Sequence, residues 1–412
     1  MNWIRGGFLL AAMPVAAACG AGPDQRMLVE REVRGDTTVV RVSGTGPELA
    51  AEEELRIGTL DGPDEYTFGS VAGMAVSADG SMYVIDSHSR DIRVFDADGS
   101  FMRRFGGPGA GPGELQQPSG ISFLPDGRLV VRDYQNARVN VYSGEGETLT
   151  SWPIPGGFAT TSPMFVDRTG NVYLDIVADR SGPGIGRIGL LRLDSNGSVV
   201  DTLFRPLEDV EVPRLEATSP DGRGRSFYGV PFWPVPVTTL NEDGAFVGGI
   251  GDRYAITTWY PDGTVQRIER DVPAVPVQAG EAATAVEQAT RGLRGTQPDW
   301  RWTGPRPPDS KPYFTSLRGG DDGRLWVRLS QPAERRDPDP DARPDPRGQP
   351  PLEQWVAPTA YDIYERDGSF VGTVRMPDRF TVMYMRGDHV WGVLRDDLDV
   401  PYVVRLKLVT RT

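Results

Sequence analysis

The chain has 412 residues and a formal net charge of −13, a balance that repels a phosphate backbone and disfavours general nucleic-acid binding. Gly (50) and Pro (36) together exceed a fifth of the residues, which points to many turns rather than many helices. A single cysteine excludes a disulfide framework, while 38% hydrophobic residues suffice for a sizeable core.

The N-terminus reads as a targeting segment. Asn2, Trp3 and Arg5 form a short n-region with one positive charge, and Phe8 to Ala18 is apolar apart from Pro14. That stretch is shorter than the roughly 20 apolar residues a spanning helix needs. It ends in Ala16-Ala17-Ala18-Cys19-Gly20. This resembles a lipobox, in which small residues precede a cysteine that is acylated and becomes the new N-terminus; Ala16 stands where leucine is usual. The resemblance implies a lipoprotein signal peptide over residues 1–19, lipidation of Cys19, export, and lipid anchoring at the cell envelope. Gly20, rather than an aspartate, after the cysteine implies the outer membrane. Acyl chains hold a protein at a membrane without a spanning helix. Residues 20–51 are polar and lack a period, and are expected to form a flexible tether with one strand at Thr37 to Val42.

Two stretches then repeat each other. SADGSMYVIDSHSRDIRVFDADGSFMRRFG (Ser77–Gly106) and LPDGRLVVRDYQNARVNVYSGEGETLTSW (Leu124–Trp152) share one plan. Each has an Asp-Gly turn, a β-rich run ending in Asp, a polar loop, a second β-rich run and another acidic-Gly turn. Asp-Gly between apolar runs is a hairpin signal, because glycine tolerates positive φ. First-turn glycines recur at Gly80, Gly127, Gly170, Gly244, Gly323 and Gly387, and second-turn glycines at Gly99, Gly146, Gly197, Gly263 and Gly368. The first intervals, 47 and 43 residues, are the size of one four-stranded blade. The prediction is an all-β chain: a six-bladed β-propeller of four-stranded antiparallel blades over residues 52–412, with one short helical insertion. Leu55 to Leu60 is expected to pair with the last strand, Tyr402 to Leu408, closing the ring so that only short sheet edges remain.

The units resemble NHL repeats. FGGPGAGPGELQQPSGI (Phe105–Ile121) is similar to the Gly-rich linker between NHL blades, and YVIDSHSRDIRVFD and VVRDYQNARVNVYS to the family's core. The likeness is good over the first two blades and fades after Gly170. It is closest to exported six-bladed propeller lipoproteins of bacteria, and departs from RNA-binding NHL proteins, whose binding faces are basic.

Most candidate chemistries find little support. The two histidines, His88 and His389, come without cysteines and make a poor zinc site. There is no G-x-S-x-G elbow. Pro108 and Pro112 remove amide donors from the glycines of Phe105 to Glu114, which read as linker rather than phosphate loop. The Asp-Gly turns supply too few oxygens for calcium, and the Asp337 to Asp345 tract reads as a solvated insertion.

Topology gives a sharper lead. In a four-stranded blade the Asp-Gly turns lie on one face, and the inter-blade connections and the loops between strands two and three on the other. Insertions at 205–236, 272–312 (helical over Glu281 to Leu293) and 330–358 therefore share one face. Long loops on a rigid scaffold commonly carry binding residues. Arg225, Tyr228, Trp233, Trp300, Arg301 and Trp302 are the expected ligand- or partner-binding residues, since arginine and aromatics suit anionic or aromatic partners. The expected function is a binding or scaffold module rather than an enzyme, with no cofactor. Its expected partner is an envelope protein or a small anionic or aromatic ligand, with no nucleic acid and with membrane contact through the lipid only. The alternative is a calcium-dependent hydrolase or lactonase of the gluconolactonase-like propeller type, which needs a Glu, an Asn and an Asp converging in the channel.

Overall fold

The structure, a computed structural model, describes residues 27–154, 156–158, 160, 164–179, 186–337 and 348–411. The signal segment with Cys19, and all of the Asp337 to Asp345 tract but Asp337, lie outside the described residues.

Six antiparallel units follow one another. Blade 1 comprises Val71–Val76, Met82–Asp86, Asp91–Phe95 and Phe101–Gly106. Blade 2 comprises Pro118–Phe123, Leu129–Asp133, Arg138–Tyr142 and Thr148–Pro153, and blade 3 Phe165–Val166, Val172–Asp179, Arg187–Leu193 and Val199–Leu203. Blade 4 comprises Val237–Leu240, Phe246–Gly249, Ala255–Trp259 and Val265–Arg270, and blade 5 Phe314–Gly319, Leu325–Leu329, Ala360–Tyr364 and Phe370–Arg375. Blade 6 has Phe380–Arg386, His389–Arg395 and Pro401–Thr410, and takes its fourth strand from near the N-terminus.

Burial follows position within the blade. MYVID, DIRVF and LVVRD bury every residue, because neighbouring blades cover both of their faces, so the period-2 alternation disappears. The outer strand Phe101–Gly106 alternates half-buried and exposed, as a strand at the rim should. The six first-turn glycines sit at φ between 60° and 89°, the left-handed region that only glycine enters without steric cost.

First strands of successive blades approach one another at blades 1 and 2, 2 and 3, 4 and 5, and 6 and 1, which places them around the central channel. The core is a ring of seams between blades. Ile85, Ile92 and Leu129 fill the seam of blades 1 and 2; Trp326, Ile363 and Leu406 that of blades 5 and 6; Phe95, Trp391 and Val403 that of blades 6 and 1. The seam of blades 3 and 4 is the thinnest, with only Tyr173, Leu190 and Leu240 buried among the described residues.

Residues 28–51 do not form the expected tether. β1 (Leu28–Arg34) and β2 (Thr37–Ser43, the strand expected at Thr37 to Val42) form a hairpin. β2 pairs in parallel with Val265–Arg270 and widens blade 4 to six strands. β3 (Glu48–Ile57) pairs antiparallel with Pro401–Thr410, from Leu49 opposite Thr410 to Ile57 opposite Val403. The ring closes as the sequence predicts, but the closing strand runs from Glu48 to Ile57 rather than Leu55 to Leu60. The propeller thus begins near residue 28 rather than 52. The physical reason is position: β1 and β3 lie at blade rims, where one side faces water and glutamates such as Glu52, Glu53 and Glu54 cost little.

Candidate functional site

The three insertions fold into one cap. The first forms a hairpin of Arg214–Thr218 and Arg225–Gly229. The second carries α1 (Ala279–Arg294), whose Glu281 reaches back to the Gln278 N–H (3.4 Å). The third forms a hairpin of Glu334–Arg336 and Gln354–Val356. A small core of Leu215, Ala217, Val230, Ala289, Leu293 and Trp300 joins the first two, with Trp233 and Trp302 packed against it. Trp355 of the third donates to Thr284 Oγ1 of α1 at 3.2 Å.

This arrangement divides the six expected binding residues. Trp300 is corrected to a packing residue: it is only 3% exposed, its indole N–H donates to the Glu216 carbonyl (2.8 Å), and it has no surface to offer a ligand. Trp233 and Trp302 are half-buried against the same cluster, and Trp302 donates to the Gly304 carbonyl at 2.9 Å. Arg225, Tyr228 and Arg301 remain exposed. Arg225 lies 3.6 Å from Glu216, while the Tyr228 ring lies against Gly292 of α1, where a Cβ would come within 2.7 Å of its hydroxyl. The six residues belong to one unit of the cap, but only three present open surface.

Two adjoining clefts lie under the cap. One, of about 680 Å³, separates α1 from residues 349–356 and is lined by Thr284, Gln288, Arg291, Leu352 and Trp355. The other, of about 400 Å³, lies between the cap and blades 4 and 5 and is lined by Trp233, Val237, Phe314, Arg328 and Leu329. Phe232 and Glu281 border both. At their junction the Lys311 ammonium is buried against Glu281 (2.5 Å), donates to the Gln331 carbonyl (3.0 Å), and lies 5.8 Å from the centre of the Phe232 ring. Phe232 holds φ +61°, a costly backbone for a bulky residue, which tertiary packing must enforce. Lys311 was open to notice in the sequence only through rarity, since Lys407 is the one other lysine. Arg328 gave no signal at all.

The central channel is chemically plainer. Its six inner strands read VAGMAV, PSGISF, FV, VTTL, FTSLRG and FTVMYMR, with no carboxylate among them. Among the described residues no group of three or more His, Cys, Asp or Glu side chains converges as a metal site would require. His389 starts the second strand of blade 6 and is held by Glu54 (3.0 Å) and Asp388 (2.7 Å). His88 follows the second strand of blade 1, which puts it on the opposite face of the disc.

The repeat aspartates are structural. Asp86 accepts the backbone N–H groups of Gly69 (2.8 Å) and Ser70 (2.9 Å), and Asp133 those of Gln116 (3.1 Å) and Gln117 (2.8 Å), so each carboxylate ties down the linker entering its blade. Asp362, fully buried between blades 4 and 5, accepts from Tyr254 (2.7 Å) and Thr373 (2.6 Å) and pairs with Arg270. Burial, with the Asp362 charge beside it, pushes the Tyr254 hydroxyl well above its ordinary pKa and keeps it a donor.

Fold and seams define a six-bladed β-propeller with a cap on one face. Residues 54–151 match a family model described as a 6-bladed beta-propeller. The human NHL-repeat-containing protein 4 is 32% identical over 131 residues, covering 30% of this chain and 88% of that protein. The chain belongs to the NHL-repeat proteins. Among solved structures, a candidate exported protein of Bacteroides fragilis shares 11% identity at a TM-score of 0.49, over 91% of this chain and 100% of that one. A gluconolactonase of Xanthomonas campestris shares 13% at a TM-score of 0.38, over 84% and 88%. No helix among the described residues is long and apolar enough to cross a membrane.

Proposed function

We propose that this NHL-repeat propeller is a lipid-anchored envelope protein that recognises a partner through the cap over blades 3 to 5. The observation that carries the reading is the convergence of three separate insertions into one packed unit with two adjoining clefts on a single face. Concave, largely apolar surfaces with a few placed polar groups are where proteins commonly bind. Tyr228, Arg225 and Arg301 stand exposed on the same cap, residue types that dominate interface energetics. Anchoring rests on the run Ala16-Ala17-Ala18-Cys19. The lactonase alternative draws no support from the inner strands, whose described residues carry neither carboxylate nor asparagine.

Replacing Tyr228 and Arg301 by alanine tests the recognition surface. Both side chains lie outside the cap's buried core, so the melting temperature should hold while co-purification of the partner with the anchored chain falls several-fold. Unchanged recovery of the partner would refute this surface. Cys19→Ser should release the chain from the membrane fraction, and a variant still fractionating with membranes would remove the anchor from the account.

A further inference from the structure

The cleft between the cap and blades 4 and 5 is positively charged although the molecule is acidic. Three charged side chains line it, Lys311, Arg328 and Glu281, leaving it one positive charge in excess in a chain of net −13. Arg328, on the second strand of blade 5, is exposed, and among the described residues its guanidinium makes neither a hydrogen bond nor an ion pair. That is unusual here, where most arginines bridge to carboxylates or backbone carbonyls. Lys311 carries three donor protons and has two oxygen partners, Glu281 and Gln331, leaving the third without an oxygen beside the Phe232 ring. The remaining wall is apolar: Trp233, Val235, Val237, Phe314, Leu329 and Pro358.

We infer that this cleft binds a small amphiphilic anion, an apolar body ending in a carboxylate or sulfonate, with Arg328 and Lys311 taking the head group. This deepens the reading of the capped face and rests on it. A volume of about 400 Å³ falls within the range of small-ligand sites. An unpaired guanidinium at the lip presents two parallel donors to a carboxylate or sulfonate, and a buried ammonium strengthens an anionic contact because the surroundings screen it poorly. The aromatic and aliphatic wall supplies the affinity for the apolar body.

The probe is 1-anilinonaphthalene-8-sulfonate, titrated against the full chain and followed by its fluorescence. Emission should rise and shift to the blue with saturable binding, and decanoate should displace the probe where decanol does not. Arg328→Gln, which removes no hydrogen bond or ion pair among the described residues, should weaken binding about tenfold, the scale of one charge-assisted hydrogen bond. Ser330→Trp, which fills the cleft and spares the buried ion pair, should abolish it. Absence of saturable binding, equal displacement by decanol, or undiminished binding to Arg328→Gln would each overturn the inference. The outcomes separate from those of the wider reading: partner recovery dependent on Tyr228 and Arg301 without probe binding leaves the capped face standing and removes only this ligand.

Discussion

Blades 1 and 2 and blades 4 and 5 are built on the same four-stranded plan and depart from it to different degrees. In the first pair the loops are short, the middle strands are buried but for a partly buried Arg138, and Asp86 and Asp133 pin the incoming linkers. In the second pair no aspartate ends the second strand; glycine and leucine stand there, and the Asp362, Arg270 and Tyr254 network sits within the apolar seam. The chain spends its insertions at this second pair, and β2 widens blade 4 from outside. Regular repeats make a scaffold, and departures from the repeat mark where the scaffold has been adapted.

The sharpest way to break this contrast is to open the ring. Blade 6 packs on both halves, against blade 1 through Trp391 and Phe95 and against blade 5 through Leu406 and Trp326. Ending the chain at Leu398 removes the strand that pairs with β3. Cooperative unfolding of the whole propeller should be lost, read by calorimetry and hydrogen exchange. Full protection retained in blades 1 and 2 would mean that the regular half stands alone.

Trp300→Ala should come next, at about 3–5 kcal/mol for an emptied aromatic site. The loss should fall on the cap: amides of α1 and the Arg214–Gly229 hairpin should exchange faster while those of Met82–Phe95 hold. Equal loosening in both would show the cap to be continuous with the scaffold. Asp133→Ala probes the other half. It leaves the Gln116 and Gln117 N–H groups and one N–H of the Asn136 amide, whose other partner is the Gly109 carbonyl, without their acceptor, at a cost of about 3 kcal/mol in urea unfolding, with cap amides unchanged. A neutral result would remove the aspartate from its role as linker anchor.

The smallest effect concerns the added hairpin. Hydrogen bonds from Arg34, then Arg41, lower the Glu32 carboxyl to about 2. A depressed folded-state pKa contributes above the unfolded value, near 4.5, and that contribution is lost as pH falls toward 2. The pair is exposed and screened by salt, so the change should be confined to lower protection factors in β1 on acidification, and Glu32→Gln should remove that pH dependence. Acid sensitivity spreading to blade 1 would contradict a local role.

How far the sequence could be read follows the same division. The turn glycines, the buried runs of blades 1 and 2 and the helix in the second insertion were legible, because turn chemistry and periodicity are local. β1 and β3 were not, since LVEREVR and ELAAEEELRI are dominated by charge and become strands only because β2, itself seated on Val265–Arg270, and Pro401–Thr410 offer them an edge. Topology placed the three insertions on one face. It did not show that Trp300 would be consumed as their core, or that Lys311 and Arg328, 17 residues apart on different elements, would line one cleft. Those are tertiary facts.

The central claim, that recognition resides on the capped face, is tested most directly by placing a photo-crosslinking residue at Gln288 of α1 and, separately, at Asp126 in the first turn of blade 2, in the full chain in its own cells. The account predicts a discrete ultraviolet-dependent adduct from Gln288 that Arg301→Ala diminishes, and none from Asp126. An adduct from Asp126 alone, or equal adducts from both faces, would contradict it.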